Sequence, residues 1–210
     1  FANLDALGKF GEVHNWETFQ LYISSSVSGP SGRPISMVSF LLNDNSWPSN
    51  SFSFKYTNLL LHLLSGVLLL WLIYRLMLSR DPQRRMNRAT SIALLTTALW
   101  LLHPFHVSTT LYVVQRMTIL SALFSILGLL LYVVGRELLA SQPRQAYLWM
   151  TLSLILCTPL AFFSKENGIL LPLLILILEY TALRHLSSQK PSPQWIFIFL
   201  GLPNLLIVGY

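Results

Sequence analysis

Long apolar runs separated by short polar connections dominate the chain from residue 56 onward, at 57–78, 90–103, 117–134, 147–164, 168–183 and 195–210. Most of them approach the roughly 20 residues that an α-helix needs to cross a bilayer. The pattern predicts an all-α polytopic membrane protein, a bundle of about six spans over 56–210. In the first run Asn58, His62, Ser65 and Gly66 fall at i, i+4, i+7 and i+8, so polar and small residues share one helical face. A face of that kind is expected to meet protein and not lipid. The far end of the run carries Trp71, Tyr74 and Arg75, the make-up of an interfacial belt with a snorkelling cation.

Residues 1–55 have another pattern, mixed in polarity around a Gly29-Pro30-Ser31-Gly32 turn. They read as a large external loop with short helices. Around the stretch from Asp5 to Gln20, the apolar residues Leu4, Leu7, Phe10, Val13 and Trp16 recur at threes, which suits an amphipathic piece lying in the interface. The apolar stretch from Pro34 to Leu42 is too short to span and is expected to pack on the bundle or re-enter it. Between the second and third runs, Phe105 to Gln115 is too polar for free lipid. A short external helix or a broken helix lining a cavity is expected there, because irregular backbone at membrane depth is tolerated only against protein or a wet cavity. Ser164 to Asn167 reads as a tight turn joining the fourth and fifth runs.

Composition supports the membrane reading: 53% of residues are hydrophobic and only 10% charged, too few charges to coat a soluble globule. The net charge of +6 would suit nucleic acid, but its distribution does not. Of the 14 Lys and Arg, nine fall on alternate connections: Arg75, Arg80, Arg84, Arg85, Arg88, Arg136, Arg144, Arg184 and Lys190. By the positive-inside rule these connections face the cytoplasm. Lys9, Arg33, Lys55, Arg116 and Lys165 are then external, together with loop 1–55 and the turns at 104–116 and 164–167. Cys157 stands alone in an apolar run, so there is no disulfide framework. The first residue is Phe, and the last run stops at Tyr210 below crossing length, so a fragment truncated at both ends is expected.

Candidate chemistry gathers on the external side. Arg116, heading the third run, offers a planar fork to phosphate or carboxylate. It would equally serve as an arginine reaching water or pairing with an acid on a neighbouring helix, since a cation at a helix N-terminus opposes the macrodipole and needs a partner. Lys165 and Glu166 are either ligand groups or ordinary complements to two helix ends. His103 and His106 bracket Pro104 and could bind a phosphate or act as acid and base, but no third ligand at metal spacing follows. Arg33 is a further external cation, read as a solvated loop charge or a ligand. The external acids are Asp5, Glu12, Glu17, Asp44 and Glu166, while Glu179 marks the inner boundary of the fifth run. Walker A, nucleophile-elbow and proton-relay patterns are missing, which sets aside ATPase, serine hydrolase and proton-pump readings.

Several blocks occur in a familiar order: Ser31-Gly32-Arg33-Pro34-Ile35-Ser36-Met37-Val38-Ser39-Phe40, Tyr56-Thr57-Asn58-Leu59-Leu60-Leu61-His62, and Leu99-Trp100-Leu101-Leu102-His103-Pro104. Tyr112-Val113-Val114-Gln115-Arg116-Met117 and Ser164-Lys165-Glu166-Asn167-Gly168 continue it. Together they resemble the membrane domain of the transmembrane and tetratricopeptide-repeat O-mannosyltransferases and their bacterial relatives, from about residue 30 onward. The resemblance implies a GT-C-like glycosyltransferase that moves a sugar from a polyprenyl-phosphate carrier to a hydroxyl, on protein or glycan, at the periplasmic or lumenal face. It implies substrate-binding roles for Arg33, His103, Arg116, Lys165 and Glu166, to which the residue pattern itself adds His106 as a substrate-binding candidate. It also implies a catalytic carboxylate at the start of the first external loop, just upstream of Phe1, a role that does not transfer to Asp5; within this sequence Asp5 and Glu166 are the candidate acids.

No cofactor is implied beyond the lipid-linked sugar as donor, and the need for a divalent metal stays open. Partners are the bilayer, the donor and the acceptor, with no nucleic acid. The short loops lean towards a bacterial inner membrane. Two rivals remain: an oligosaccharide ligase or polymerase of the same fold, and a transporter or flippase that binds an anionic lipid without chemistry.

Overall fold

A computed structural model describes residues 12–24, 32–44, 50–80, 86–186 and 190–209. Asp5 and Lys9, most of the 29–32 turn, Arg84, Arg85 and Tyr210 lie outside them. Every regular element among the described residues is helical. The N-terminal region contributes α1 (Trp16–Ser24) and α2 (Pro34–Leu41). Then follow α3 (Ser51–Arg80), α4 (Met86–Leu101), α5 (Phe105–Leu111), a 3-10 turn (Val113–Gln115) and α6 (Arg116–Leu138). Helix α7 (Pro143–Ser164) has a π turn at Ser153–Cys157 and leads through a 3-10 turn (Glu166–Leu170) to α8 (Leu171–Tyr180). The last helix, α9, runs over 193–209 with a π turn at Phe197–Gly201.

By length and composition α3, α7 and the run Val113–Leu138 are long and apolar enough to cross a membrane, and α4 with α5 makes a fourth if the pair, bent by 65°, is one broken span. The chain is thus an all-α integral membrane protein. Helices α8 and α9 occupy the segments read as fifth and sixth spans and are shorter than that crossing length.

Helix α6 is the centre of the bundle: half of its most apolar window is buried, against about a fifth for α3 and a third for α7. It packs between those two helices. Where α6 meets the π turn of α7, Ser153 Oγ donates to Gly128 O at 2.6 Å, so a hydroxyl at membrane depth finds a backbone acceptor. The main core joins Leu130, Tyr132 and Val133 of α6 to Met150 and Cys157 of α7 and Ile175 of α8. Outward faces are apolar, as Leu59, Leu60, Leu63, Leu64 and Val67 on α3 illustrate, which is what a lipid solvent permits.

A second, smaller core caps the N-terminal end of α6, where Tyr22 of α1 and Met37 and Phe40 of α2 pack with Phe54, Val113 and Met117. The short apolar stretch at 34–41 is therefore a helix laid on the bundle's end, not a span. Its Ser36 Oγ donates to Ser164 O at 2.9 Å, fastening it to the end of α7. The polar face read in the first run does meet protein: Asn58, His62 and Ser65 are all buried.

Candidate functional site

The predicted external residues collect at this capped end of α6, where three local features aim them. The first is the backbone of Arg33, held in the left-handed region at φ 47° directly after Gly32 at φ 68°. A non-glycine residue there costs roughly 1–2 kcal/mol. The side chain offers compensation: Nε lies 3.0 and 3.1 Å from the Glu166 carboxylate oxygens and Nη2 donates to Oε2 at 2.8 Å. Nη1 reaches Met117 Sδ at 3.2 Å. Arg33 and Glu166, both read as ligand groups, are thus brought together as an ion pair that ties the loop before α2 to the turn after α7.

The second feature is the turn itself. Lys165 is extended, at φ −160° and ψ 144°, so Glu166 faces Arg33 while the Lys165 ammonium leaves in another direction. The turn is tight enough to require Gly168, because a Cβ there would lie 2.1 Å from Ala161 C and 2.4 Å from Ala161 O. Lys165 Nζ donates to Thr118 Oγ1 at 2.8 Å, and Thr118 Oγ1 donates to Gln115 Oε1 at 2.7 Å. The residue is half-buried, and none of the ion pairs among the described residues engages it. A cation so placed keeps donors for an anion, since an ammonium carries three.

The third feature is the break between α4 and α5 at His103-Pro104. It swings His106 back against His62 of α3 and Trp100 of α4, with ring centroids 5.1 and 4.8 Å away, while His62 and Trp100 stack at 4.9 Å. These rings line a cavity of about 90 Å³ that also takes in Ser65, Thr109 and Thr118. Thr118 therefore has its hydroxyl on Lys165 and its flank on the cavity. His103 stays on the exposed rim, its Nδ1 accepting from Phe105 N at 3.2 Å. No group of three or more His, Cys, Asp and Glu able to hold a metal occurs among the described residues.

Arg116 has a different setting from the one that a phosphate-binding fork requires. Its side chain is fully buried between the rings of Phe40 and Phe54, 4.9 and 5.4 Å from their centroids. Nε donates to Asn58 Oδ1 at 2.8 Å, Nη1 to Ser39 O at 2.8 Å and Asn43 Oδ1 at 2.5 Å, and Nη2 to Phe54 O at 2.9 Å. Asn58 Nδ2 in turn lies within 3.3–3.4 Å of the carbonyls of Thr110, Tyr112 and Val113, the irregular backbone before α6. The compensating partners of this helix-terminal cation are carbonyl oxygens and amides, neither an acid nor open space. Burial pushes the nearby Tyr22 phenol above its ordinary pKa, with the Arg116 charge pulling the other way.

Among the remaining acids, Glu12 accepts from His14 at 2.5 Å on an exposed part of the loop. At the opposite end of α6, Glu179 does more than mark a boundary. Arg136 donates to its carboxylate from Nε at 2.7 Å and Nη2 at 2.9 Å, and Tyr132 Oη adds a third bond at 2.9 Å. Arg75 pairs with Glu137 beside it. Sequence reasoning missed Trp100 and Thr118 as site residues. The spacing of Trp100, His103 and His106 by threes was the available signal for the first, whereas nothing in the sequence distinguished Thr118.

Comparison with known proteins gives the same direction. The chain is 30% identical over 176 residues to the human protein named "Protein O-mannosyl-transferase TMTC4", covering 80% of this chain and 23% of that protein. It is 22% identical over 188 residues to "Protein O-mannosyl-transferase F38B6.6" of Caenorhabditis elegans, covering 90% of this chain and 24% of the relative. The mouse TMTC4 protein is 28% identical over 167 residues. The chain therefore spans about a quarter of the length of the curated relatives it matches. No family model matches. No solved structure matches either.

Proposed function

We propose that this chain is part of a membrane glycosyltransferase of the O-mannosyl-transferase kind, with a GT-C-like bundle that works on a polyprenyl-phosphate-linked sugar at the end of α6 capped by α1 and α2. The observation that carries the reading is Lys165: a half-buried cation, bonded through Nζ to a neutral hydroxyl and unpaired with any described carboxylate, standing beside an aromatic and histidine-lined cavity. Two curated relatives carrying the O-mannosyl-transferase name, aligned over most of this chain, support it.

In this reading the acceptor hydroxyl oxygen attacks the anomeric carbon, and the bond from that carbon to the carrier phosphate oxygen breaks. The carrier leaves as a phosphate anion. Lys165 donates to that phosphate as its charge grows, the kind of electrostatic stabilisation that contributes most when donors are fixed beforehand. Thr118 and Gln115 orient the ammonium. His106, with His62 and Trp100 behind it, lines the side where sugar or acceptor sits. The acceptor proton goes to a carboxylate of the first external loop. Arg33 holds Glu166 and so fixes the turn carrying Lys165, and Arg116 anchors α2 and the 110–113 backbone. Both are positioning residues.

The test is sugar release from polyprenyl-phosphate donors by the intact purified protein and its Lys165→Gln variant. Release by the wild type that falls at least tenfold in the variant, with unchanged melting, supports the reading. Donor binding without consumption in either protein would replace it with a transporter, and full activity in Lys165→Gln would remove Lys165 from the site.

A further inference from the structure

At the opposite end of the bundle lies a cavity of about 470 Å³, bounded by Glu179, Tyr180, Leu183, Arg184, Lys190 and Ile196. It sits between the end of α8, the 3-10 turn Arg184–Leu186 and the start of α9. Its charges are unequal. The Glu179 carboxylate is consumed by Arg136 and Tyr132, so it adds no net negative charge to the cavity. Arg184 and Lys190 are exposed and form none of the ion pairs among the described residues. The remaining wall is apolar or amphipathic, from Tyr180, Leu183 and Ile196. The cavity has a fixed floor, because Arg136 Nη2 also lies 3.4 Å from Leu186 O and tethers the turn that bears Arg184 to the buried ion pair.

From these observations we infer a binding site for the phosphate headgroup of an anionic phospholipid, with Arg184 and Lys190 on the phosphate and the exposed Tyr180 ring and Ile196 against the start of the acyl chains. Its volume is within the range of small-molecule sites. Two uncompensated cations next to apolar wall at a bundle end match the chemistry of an anionic lipid, charged at the head and apolar directly below it. The positive-inside rule turns the same arginine-rich end to the cytoplasmic leaflet, where such lipids are attracted by basic residues. A soluble phosphate ester offers the same head without the apolar part, and the experiment separates the two.

The intact protein in detergent micelles is titrated with phosphatidylglycerol, phosphatidylcholine and glycerol phosphate, and bound ligand is read by native mass spectrometry. Three forms are compared: wild type, Arg184→Gln/Lys190→Gln, and Arg144→Gln, a control at an exposed cation outside the cavity. The site predicts phosphatidylglycerol retained at least tenfold more than phosphatidylcholine by wild type and Arg144→Gln, with that preference lost in the double variant. Equal retention of both lipids, an unchanged preference in the double variant, or an equal loss in Arg144→Gln would overturn the proposal. Glycerol phosphate binding as tightly as the lipid would overturn the lipid source. Both altered side chains are exposed, and a melting curve for each variant verifies that the fold is kept.

Discussion

Replacing Arg116 by alanine is expected to unfold the capped end of α6, because the hydrogen bonds of its guanidinium go to carbonyl and amide oxygens of α2, the turn after it and α3. The residue is fully buried and gives hydrogen bonds of 2.5–2.9 Å to four acceptors on two separate segments, α2 with its following turn and α3. Leaving one buried acceptor without a donor costs about 1–3 kcal/mol. The Asn43 and Asn58 amides can turn to new partners, whereas the Ser39 and Phe54 carbonyls cannot, and the two aromatic rings lose the group between them. A total of about 3–5 kcal/mol follows, similar to removing one partner of a buried pair. That is a large share of the 5–15 kcal/mol that holds a typical domain. At about 2–4 °C per kcal/mol for a chain of this size, the melting temperature should fall by about 6–20 °C. Arg116→Lys keeps the charge but loses the planar fork, and should fall by roughly half as much. The assay is intrinsic tryptophan fluorescence of the purified protein on heating, with limited proteolysis to locate the loosened segment at 32–44. A variant that melts within about 2 °C of wild type yet has lost donor turnover would refute the reasoning and make Arg116 a substrate ligand.

Gly168→Ala should disrupt the turn between α7 and α8, since the added Cβ meets backbone at 2.1 Å and no side chain can move aside. A loss of more than about 3 kcal/mol is expected, as for other severe overpacking; a variant with wild-type melting would disprove the close approach. Arg136→Met alone strands the Glu179 carboxylate and should cost about 3–5 kcal/mol, whereas Arg136→Met with Glu179→Leu should recover most of it. Chemical unfolding of the two variants measures the difference, and a double variant no better than the single one would count against that account.

How far the sequence speaks depends on the range of the interaction. The first and third apolar runs already outline α3 and α6, and the misfit of Phe105 to Gln115 with lipid anticipates the break at Pro104, because hydropathy and proline act within a few residues. The polar stripe of Asn58, His62 and Ser65 is legible for the same reason: helical periodicity places it before any partner is known. Arg116 is not legible in this way. Its partners come from α2, the turn after it and α3, brought together only by the fold, so a cation at a helix N-terminus looks the same in sequence whether it meets phosphate or carbonyls. Glu179 likewise reads as a boundary charge until Arg136, on a neighbouring helix, is seen to enclose it. The pairing of Arg33 with Glu166 leaves Lys165 as the cation that we propose for the ligand, a sorting that none of the three residues reveals alone.

The most direct test of that sorting is the affinity of the intact protein for a polyprenyl phosphate, measured against the polyprenyl alcohol for wild type, Lys165→Gln and Arg116→Lys at a temperature where all three are folded. The phosphate is expected to bind wild type more tightly than the alcohol, and Lys165→Gln to weaken phosphate binding by about 10- to 100-fold, the loss of one charged hydrogen bond. Arg116→Lys should keep the wild-type preference. Equal affinity of wild type and Lys165→Gln for the phosphate, or a preference lost in folded Arg116→Lys, would contradict that sorting.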